Sequence, residues 1–346
     1  MMRHYLFITL SALLLCTVKA QYTTQPVGIS KVIIHGTEGE RAASFTPLAV
    51  TYEQPELLSA TITSASGSAL TLDIASMTAN EYAGTDPNGD PTHYVMLTSG
   101  DQEGLALEIT GNSADTLTLS SSNLESLSLA GATVDILAHT TLADIFGAEN
   151  TYGLTSGSSV TSSDRIYVMQ ADGSGTWNSY FYQTNPRAGT GWRRVGDNNT
   201  DYASLSIPLD TGLLIRRIST DDTHIYLKGS VKVTNKHKRV MSEGFSLLGN
   251  PFPKAMTLGA CGIYSSDNGY VSGSSHLNSD RVFVIAEDGT FDSFYYQTNP
   301  RAGTGWRRTG DSSTDVSSEP IPATSSFYIQ HRGDGLTWNP TRPYSL

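Results

Sequence analysis

A thirteen-residue string, Tyr-Gln-Thr-Asn-Pro-Arg-Ala-Gly-Thr-Gly-Trp-Arg-Arg, occurs twice without a change, at residues 182–194 and 296–308. A chain that repeats itself in this way is expected to fold as at least two related units. Its flanks have drifted, with Arg165-Ile166-Tyr167-Val168-Met169 standing against Arg281-Val282-Phe283-Val284-Ile285. The string has therefore been held constant by its own geometry or by something it binds.

The duplication extends well past the string. Residues 141–169 align with 257–285 at an offset of 116, which falls to 114 after the Asp172-Gly173 turn because Ser174-Gly175 lengthen the first hairpin. Such insertions at exposed turns cost little. Val27-Gly28-Ile29-Ser30-Lys31-Val32 resembles Lys228-Gly229-Ser230-Val231-Lys232-Val233, which suggests where each unit opens. In the second copy only a short Asn250-Pro251-Phe252-Pro253-Lys254 connection follows that opening, whereas about eighty residues intervene in the first. Those residues read as a module inserted into a loop, with an internal echo of residues 62–72 at 109–119. Each echo is a strand, a polar turn and a second strand, alternating at the two-residue period of half-buried β-structure.

Residues 94–97 and 134–137 add further strands to the insert, and short helical turns are expected near 78–82 and 123–127. In the larger units, residues 165–169, 179–183, 213–218, 225–233 and 245–248 are rich in β-branched and aromatic residues and bounded by Gly, Asp, Asn and Pro, the punctuation of strands. The expected fold is all-β: two tandem related antiparallel β-sandwich-like units, the first interrupted by a small β-barrel-like insert. The expected boundaries are a signal peptide at 1–20, a first unit from 21–56 plus 139–226, the insert at 57–138, and a second unit at 227–346.

The first twenty residues have a basic start at Arg3, an apolar core and a Val18-Lys19-Ala20 cleavage site, the pattern of a secretory leader. The mature chain is expected to begin at Gln21 and to be secreted or held at the cell surface, or to stay in the periplasm. The apolar run is short of the roughly 20 residues of a membrane helix. Cys261 is the one cysteine beyond the leader and takes the place of Ile145 in the alignment, as a small buried hydrophobe would. A formal net charge of −11, two units more negative without Arg3 and Lys19, disfavours nucleic acid and anionic lipid as partners.

Gly244-Phe245-Ser246-Leu247-Leu248-Gly249-Asn250-Pro251-Phe252-Pro253, followed by Asp280-Arg281-Val282-Phe283-Val284, resembles a β-module of exported bacterial surface proteins, a strand ending in a Gly-Asn-Pro-aromatic turn. The whole chain resembles an uncharacterised paralogous family of secreted bacterial proteins. The resemblance rests on Pro26-Val27-Gly28, Tyr94-Val95-Met96-Leu97-Thr98-Ser99-Gly100 with Gly104, Ile109-Thr110, and the 114–119 strand. It implies secretion and a β-rich fold and carries no known activity. In the first unit Thr46-Pro47-Leu48-Ala49 stands roughly where the Gly-Asn-Pro turn would be.

Within the string, Asn185-Pro186 and Asn299-Pro300 set a turn, and Gly189, Gly191, Gly303 and Gly305 permit backbone angles closed to other residues. Tyr182, Arg187, Trp192, Arg193 and Arg194, with Tyr296, Arg301, Trp306, Arg307 and Arg308, remain as candidate ligand-binding residues. Aromatic faces stack on sugars, and guanidinium forks grip carboxylates. The same set can equally pack a sandwich edge, with each arginine stacking on a ring or pairing with Asp197 or Asp311. Asp86 with Asp90, and Asp197 with Asp201, have oxygen spacings compatible with calcium, although Asp86-Pro87-Asn88-Gly89-Asp90 lacks a closing Glu and reads as an acidic turn.

No metal site, cofactor or catalytic residue is assigned. The histidines lack ligand spacing, and no serine sits on a nucleophile elbow. The chain is read as a non-enzymatic exported surface, matrix or adhesion protein. The alternative is a bivalent carbohydrate-binding protein that meets an extracellular glycan or a surface protein through the repeated Trp/Arg loops. A third reading, a glycoside-active enzyme, requires two carboxyl groups facing one cleft.

Overall fold

The computed structural model describes residues 25–37, 45–170, 173–185, 187, 189–285, 290–299, 301 and 303–346. The leader, the expected mature start at Gln21, and Pro186 and Pro300 of the string lie outside the described residues.

The fold is all-β, with sandwich-like sheets and a closed barrel. The first unit contributes β1 (Val27–Ile34) and β2 (Phe45–Ala49) before the insert. After it come β9 (Thr140–Thr141), α1 (Leu142–Phe146), β10 (Arg165–Met169), β11 (Trp177–Asn185), β12 (Gly189–Arg194), β13 (Ser206–Ile207), β14 (Gly212–Arg216) and β15 (Thr223–Ser230). The second contributes β16 (Arg239–Met241), β17 (Gly244–Gly249), β18 (Met256–Thr257), β19 (Arg281–Ile285), β20 (Phe291–Asn299), β21 (Gly303–Arg308), β22 (Pro320–Ile321), β23 (Ser326–His331) and β24 (Leu336–Trp338).

Strand order proves the duplication in space. The first five-stranded sheet runs β12-β11-β10-β14-β2 and the second β21-β20-β19-β23-β17, while β1-β15 answers β16-β24 and β9-β13 answers β18-β22. In each unit the two-stranded ribbon lies over the inner face of the larger sheet. Val32, Ile34, Ile225 and Leu227 pack there on Leu48, Ile166 and Ile215, as Met241, Leu336 and Trp338 pack on Leu248, Val282 and Ile329. Alternate residues point inward along each strand, which is why the β-branched and aromatic runs mark strands so well.

One expected boundary moves. Residues 228–230 do not repeat residues 27–29 but pair with them, Val27 opposite Ser230 and Ile29 opposite Lys228. The two segments look alike because both serve one ribbon and meet the same alternation of buried and exposed sites. The second unit opens at β16, and residues 227–230, expected to begin it, complete the first.

The insert holds β3 (Leu58–Ser66), β4 (Ala69–Leu72), β5 (His93–Leu97), β6 (Ala106–Asn112), β7 (Thr116–Leu119) and β8 (Thr133–Ala138), closed in the order β3-β4-β7-β6-β5-β8. Its internal echo is structural. The β3–β4 and β6–β7 hairpins each carry a register shift at the matching place, Ile62/Ser64 and Ile109/Gly111. Val95 and Leu97 of β5 fill the barrel, while Tyr94 and Met96 enter the core of the first unit. Burial on both faces explains the unbroken apolar run of residues 94–97. Leu124–Leu127 forms a 3-10 turn, whereas residues 79–82 form a turn without a helix.

The two large sheets meet through their outer faces, where Met169, Leu214, Leu247 and Ile285 are buried beneath Phe45, Tyr167, Trp177 and Tyr328. The junction is nearly two-fold. Ala49, the last residue of β2, donates its N–H to Thr324 O at 2.8 Å, and Gly249, the last of β17, donates to Asp210 O at 2.9 Å. Asp210 alone then breaks the symmetry: its carboxylate meets His237 at 3.2 Å and Arg239 at 2.6 Å in the segment leading into the second unit. Nearby, the fully buried Lys232 ammonium is 2.9 Å from Glu53.

Candidate functional site

The repeated string forms the β11–β12 and β20–β21 hairpins, at the sheet edges farthest from the junction of the units. Trp192 and Trp306 are 1% and 2% exposed. Each stands opposite its tyrosine across the hairpin, with ring centroids 5.3 Å apart for Tyr182–Trp192 and 5.7 Å for Tyr296–Trp306. Trp192 Nε1 donates to Gly147 O at 2.9 Å. Neither indole presents a face to solvent, so the expected stacking platform for a glycan is absent from both loops.

The rest of the string is consumed in the same way. Gln183 and Gln297 are buried, and their amides donate across the hairpin to Gly189 O and Gly303 O. Arg193 and Arg307 are also buried. Arg193 Nη1 donates to Trp192 O and Thr200 O, and Arg307 donates to Trp306 O and Ser312 O and pairs with Asp315 at 3.0 Å. At Gly191 and Gly305 φ is 146°, and an added Cβ would lie 2.9 and 3.0 Å from those guanidinium groups. Arg187 and Arg301 occupy exposed turns whose N–H groups are capped by Asn185 and Asn299. Tyr182, Gln183, Asn185, Trp192 and Arg193, with their second-copy counterparts, thus serve the hairpin that carries them.

Arg194 and Arg308 are different. Both are partly exposed and lie near an aromatic ring, Arg194 at 5.1 Å from Tyr202 and Arg308 at 5.4 Å from Phe294. Arg308 is neutralised by Asp292 at 2.8 Å and Glu319 at 3.7 Å. At the offset of 114 those carboxylates are replaced by Asn178 and Leu205. Arg194 instead reaches Asn88 of the insert, donating to its Oδ1 at 2.9 Å.

That contact marks a cleft between insert and first unit. One lobe, about 480 Å³, is bordered by Asn88, Asp90, Gln170, Asn178 and Arg194. A second lobe of about 630 Å³ extends toward Lys238 and Arg239, and the lobes share Glu108, His139, Pro208 and Thr211. Glu108 on β6 is 2.7 Å from Nε2 of His139, which is 6% exposed and stacks on Tyr94 at 4.7 Å. Burial holds the Asp90 carboxyl above its usual range, helped by the negative charges of Asp86 and Glu108. Asp90 and Glu108 thus share one electrostatic environment.

The oxygen pairs noted for calcium are occupied by the chain itself. Asp86 accepts the N–H groups of Asn88, Asp90 and Ser206. Asp197 accepts those of Asn199 and Thr200, and with the Thr200 hydroxyl these bonds hold its carboxyl down at about 2. Among the described residues no three His, Cys, Asp or Glu side chains cluster as metal ligands, and no helix is long and apolar enough to cross a membrane. Cys261 is fully buried, and burial pushes its thiol up to about 12.

Of the ten candidate residues, only Arg194 borders the cleft. Asn178, Glu108 and His139 were missed by sequence reasoning; the one signal available for Asn178 was its difference from Asp292 at the 114 offset, which gains meaning only with the arginine contact. Compared with known proteins, the chain matches no family model, no curated protein and no solved structure, so the chemistry of the cleft rests on its own residues.

Proposed function

We propose that this chain is a non-enzymatic, exported surface or matrix protein that recognises an extracellular ligand in the cleft between the insert and the first unit. The observation that carries the reading is the cleft itself. Its lobe of about 480 Å³ falls within the range of small-molecule sites, which favour module junctions and combine an apolar lining with a few fixed polar groups. Export and a surface location follow the leader-like start and the resemblance to exported β-modules. Burial of Trp192 and Trp306 removes the motive for a bivalent loop binder.

The test is a thermal-shift screen of the full chain against sugars, amino acids and nucleosides, beside Gln170→Trp, which fills the cleft from an exposed position. A ligand that stabilises the native chain and not the variant is expected. Stabilisation that survives Gln170→Trp would move the site elsewhere. Asp90 and Glu108 facing one cleft favour glycoside hydrolysis as the second reading, since such enzymes use two carboxyl groups. Release of reducing ends from a glycan, abolished by Asp90→Asn, would establish it over the first.

A further inference from the structure

The duplication supplies an internal control for what the cleft takes. Arg194 and Arg308 end identical strings at identical sheet positions, opposite Tyr180 and Phe294. The second unit keeps two carboxylates on its arginine, Asp292 at 2.8 Å and Glu319 at 3.7 Å. In the first unit both are replaced by uncharged residues, Asn178 and Leu205, and these two border the cleft together with Arg194. No ion pair of Arg194 occurs among the described residues; its Nη1 is bonded to the neutral Asn88 amide. A partly exposed guanidinium outside any ion pair can take an anionic ligand, and its planar fork fits a carboxylate.

The surrounding groups narrow the ligand further. Gln170 and Asn178 offer amides, and Asp90 offers a carboxylate, each a partner for neighbouring hydroxyls. Val168 and Pro208 supply an apolar patch for the C–H face of a sugar ring. The net charge of −11 opposes densely anionic ligands such as polyphosphates. Resting on the cleft being the ligand site, we propose that it binds a carboxylated sugar, whose carboxylate takes the position on Arg194 that Asp292 takes on Arg308.

Titration calorimetry on the full chain tests this with galacturonate, its neutral methyl ester, sialyllactose and galactose 6-sulfate. Galacturonate or sialyllactose is expected to bind, and the two arms separate uronic from sialic sources. Esterification, Arg194→Gln and Asn178→Asp should each weaken binding at least tenfold. Asn178→Asp is the decisive variant: it restores the second unit's carboxylate beside the arginine, in a setting where Asp292 shows that the fold accepts it. Asp292→Asn should leave binding unchanged. If acid and ester bind alike, or only the sulfate binds, the carboxylate inference falls while the cleft reading stands. If no carboxylated sugar binds but another ligand is lost in Gln170→Trp, the outcome is the same. If nothing in either screen binds, both fall.

Discussion

The two units share a string, a strand order and a hairpin geometry, yet the arginine that ends the string meets different neighbours in each. In the second, Arg308 is closed off by Asp292 and Glu319. In the first, Arg194 faces a wall lent by the insert. The comparison teaches that identity between the copies records what the fold needs, while the few differences around it record what one copy does. Trp192, Gln183 and Arg193 are buried in the hairpin, as Trp306, Gln297 and Arg307 are in the second copy; Asn178 and Leu205 differ where their unit borders a third module.

That division can be broken by mutation. The largest effect should come from Trp192→Ala and Trp306→Ala, each costing about 3 to 5 kcal/mol by denaturant unfolding. Similar losses would support a shared structural role, and a stable Trp192→Ala protein would contradict it. Asp210→Asn comes next, at about 2 to 3 kcal/mol, because it breaks an asymmetric tie to the second unit, taking the counter-charge from the part-buried Arg239 and the bonded carboxylate from the buried His237. Burial alone would raise the Asp210 carboxyl, but the Arg239 charge and the His237 bond hold it well below the usual range. Its contribution is therefore present above about pH 4 and lost as pH falls below that. The gap between native and Asp210→Asn stability should shrink in acid; a pH-independent gap would remove the ion pair from the account.

Gly191→Ala and Gly305→Ala should cost about 1 to 3 kcal/mol each, since φ of 146° strains any other residue and an added Cβ would displace the Asp201 or Asp315 carboxylate and the neighbouring guanidinium. Unequal costs would show that the hairpins are less alike than their geometry. The smallest effect is expected of Asp292→Asn, under about 1 kcal/mol for a surface ion pair. A larger loss would make Arg308 a structural residue rather than the satisfied twin of Arg194.

Much of this was legible from residues. The 116 and 114 offsets revealed the duplication, the eighty-residue gap revealed the insert, and β-branched and aromatic runs bounded by turn residues located β10 and β17. The opening of the second unit was misplaced because residues 27–29 and 228–230 resemble each other as ribbon partners do, and periodicity cannot tell a partner from a copy. The string's role stayed ambiguous because Trp and Arg serve packing and recognition equally well, and only burial separates the two. The cleft was out of reach. Asn88, Glu108, Asn178 and His139 come from distant segments, and only closure of the barrel against the first sheet brings them together.

The interruption of the first unit also has a kinetic consequence. The strand pairs of the second unit span about a hundred positions at most, as between Arg239 and Trp338, whereas Gly36 in the first donates to Asp222, 186 residues on. In a chain emerging from its N-terminus, the barrel is complete by Ala138, while β1 and β2 must wait for β14 and β15. During that wait the strand carrying Val27 and Ile29, which stay 78% and 67% exposed even when folded, has no partner. Unpaired apolar strands invite association between chains, and distant pairings form slowly. The segment most open to such association is thus the opening ribbon strand, far from the string that first reveals the duplication.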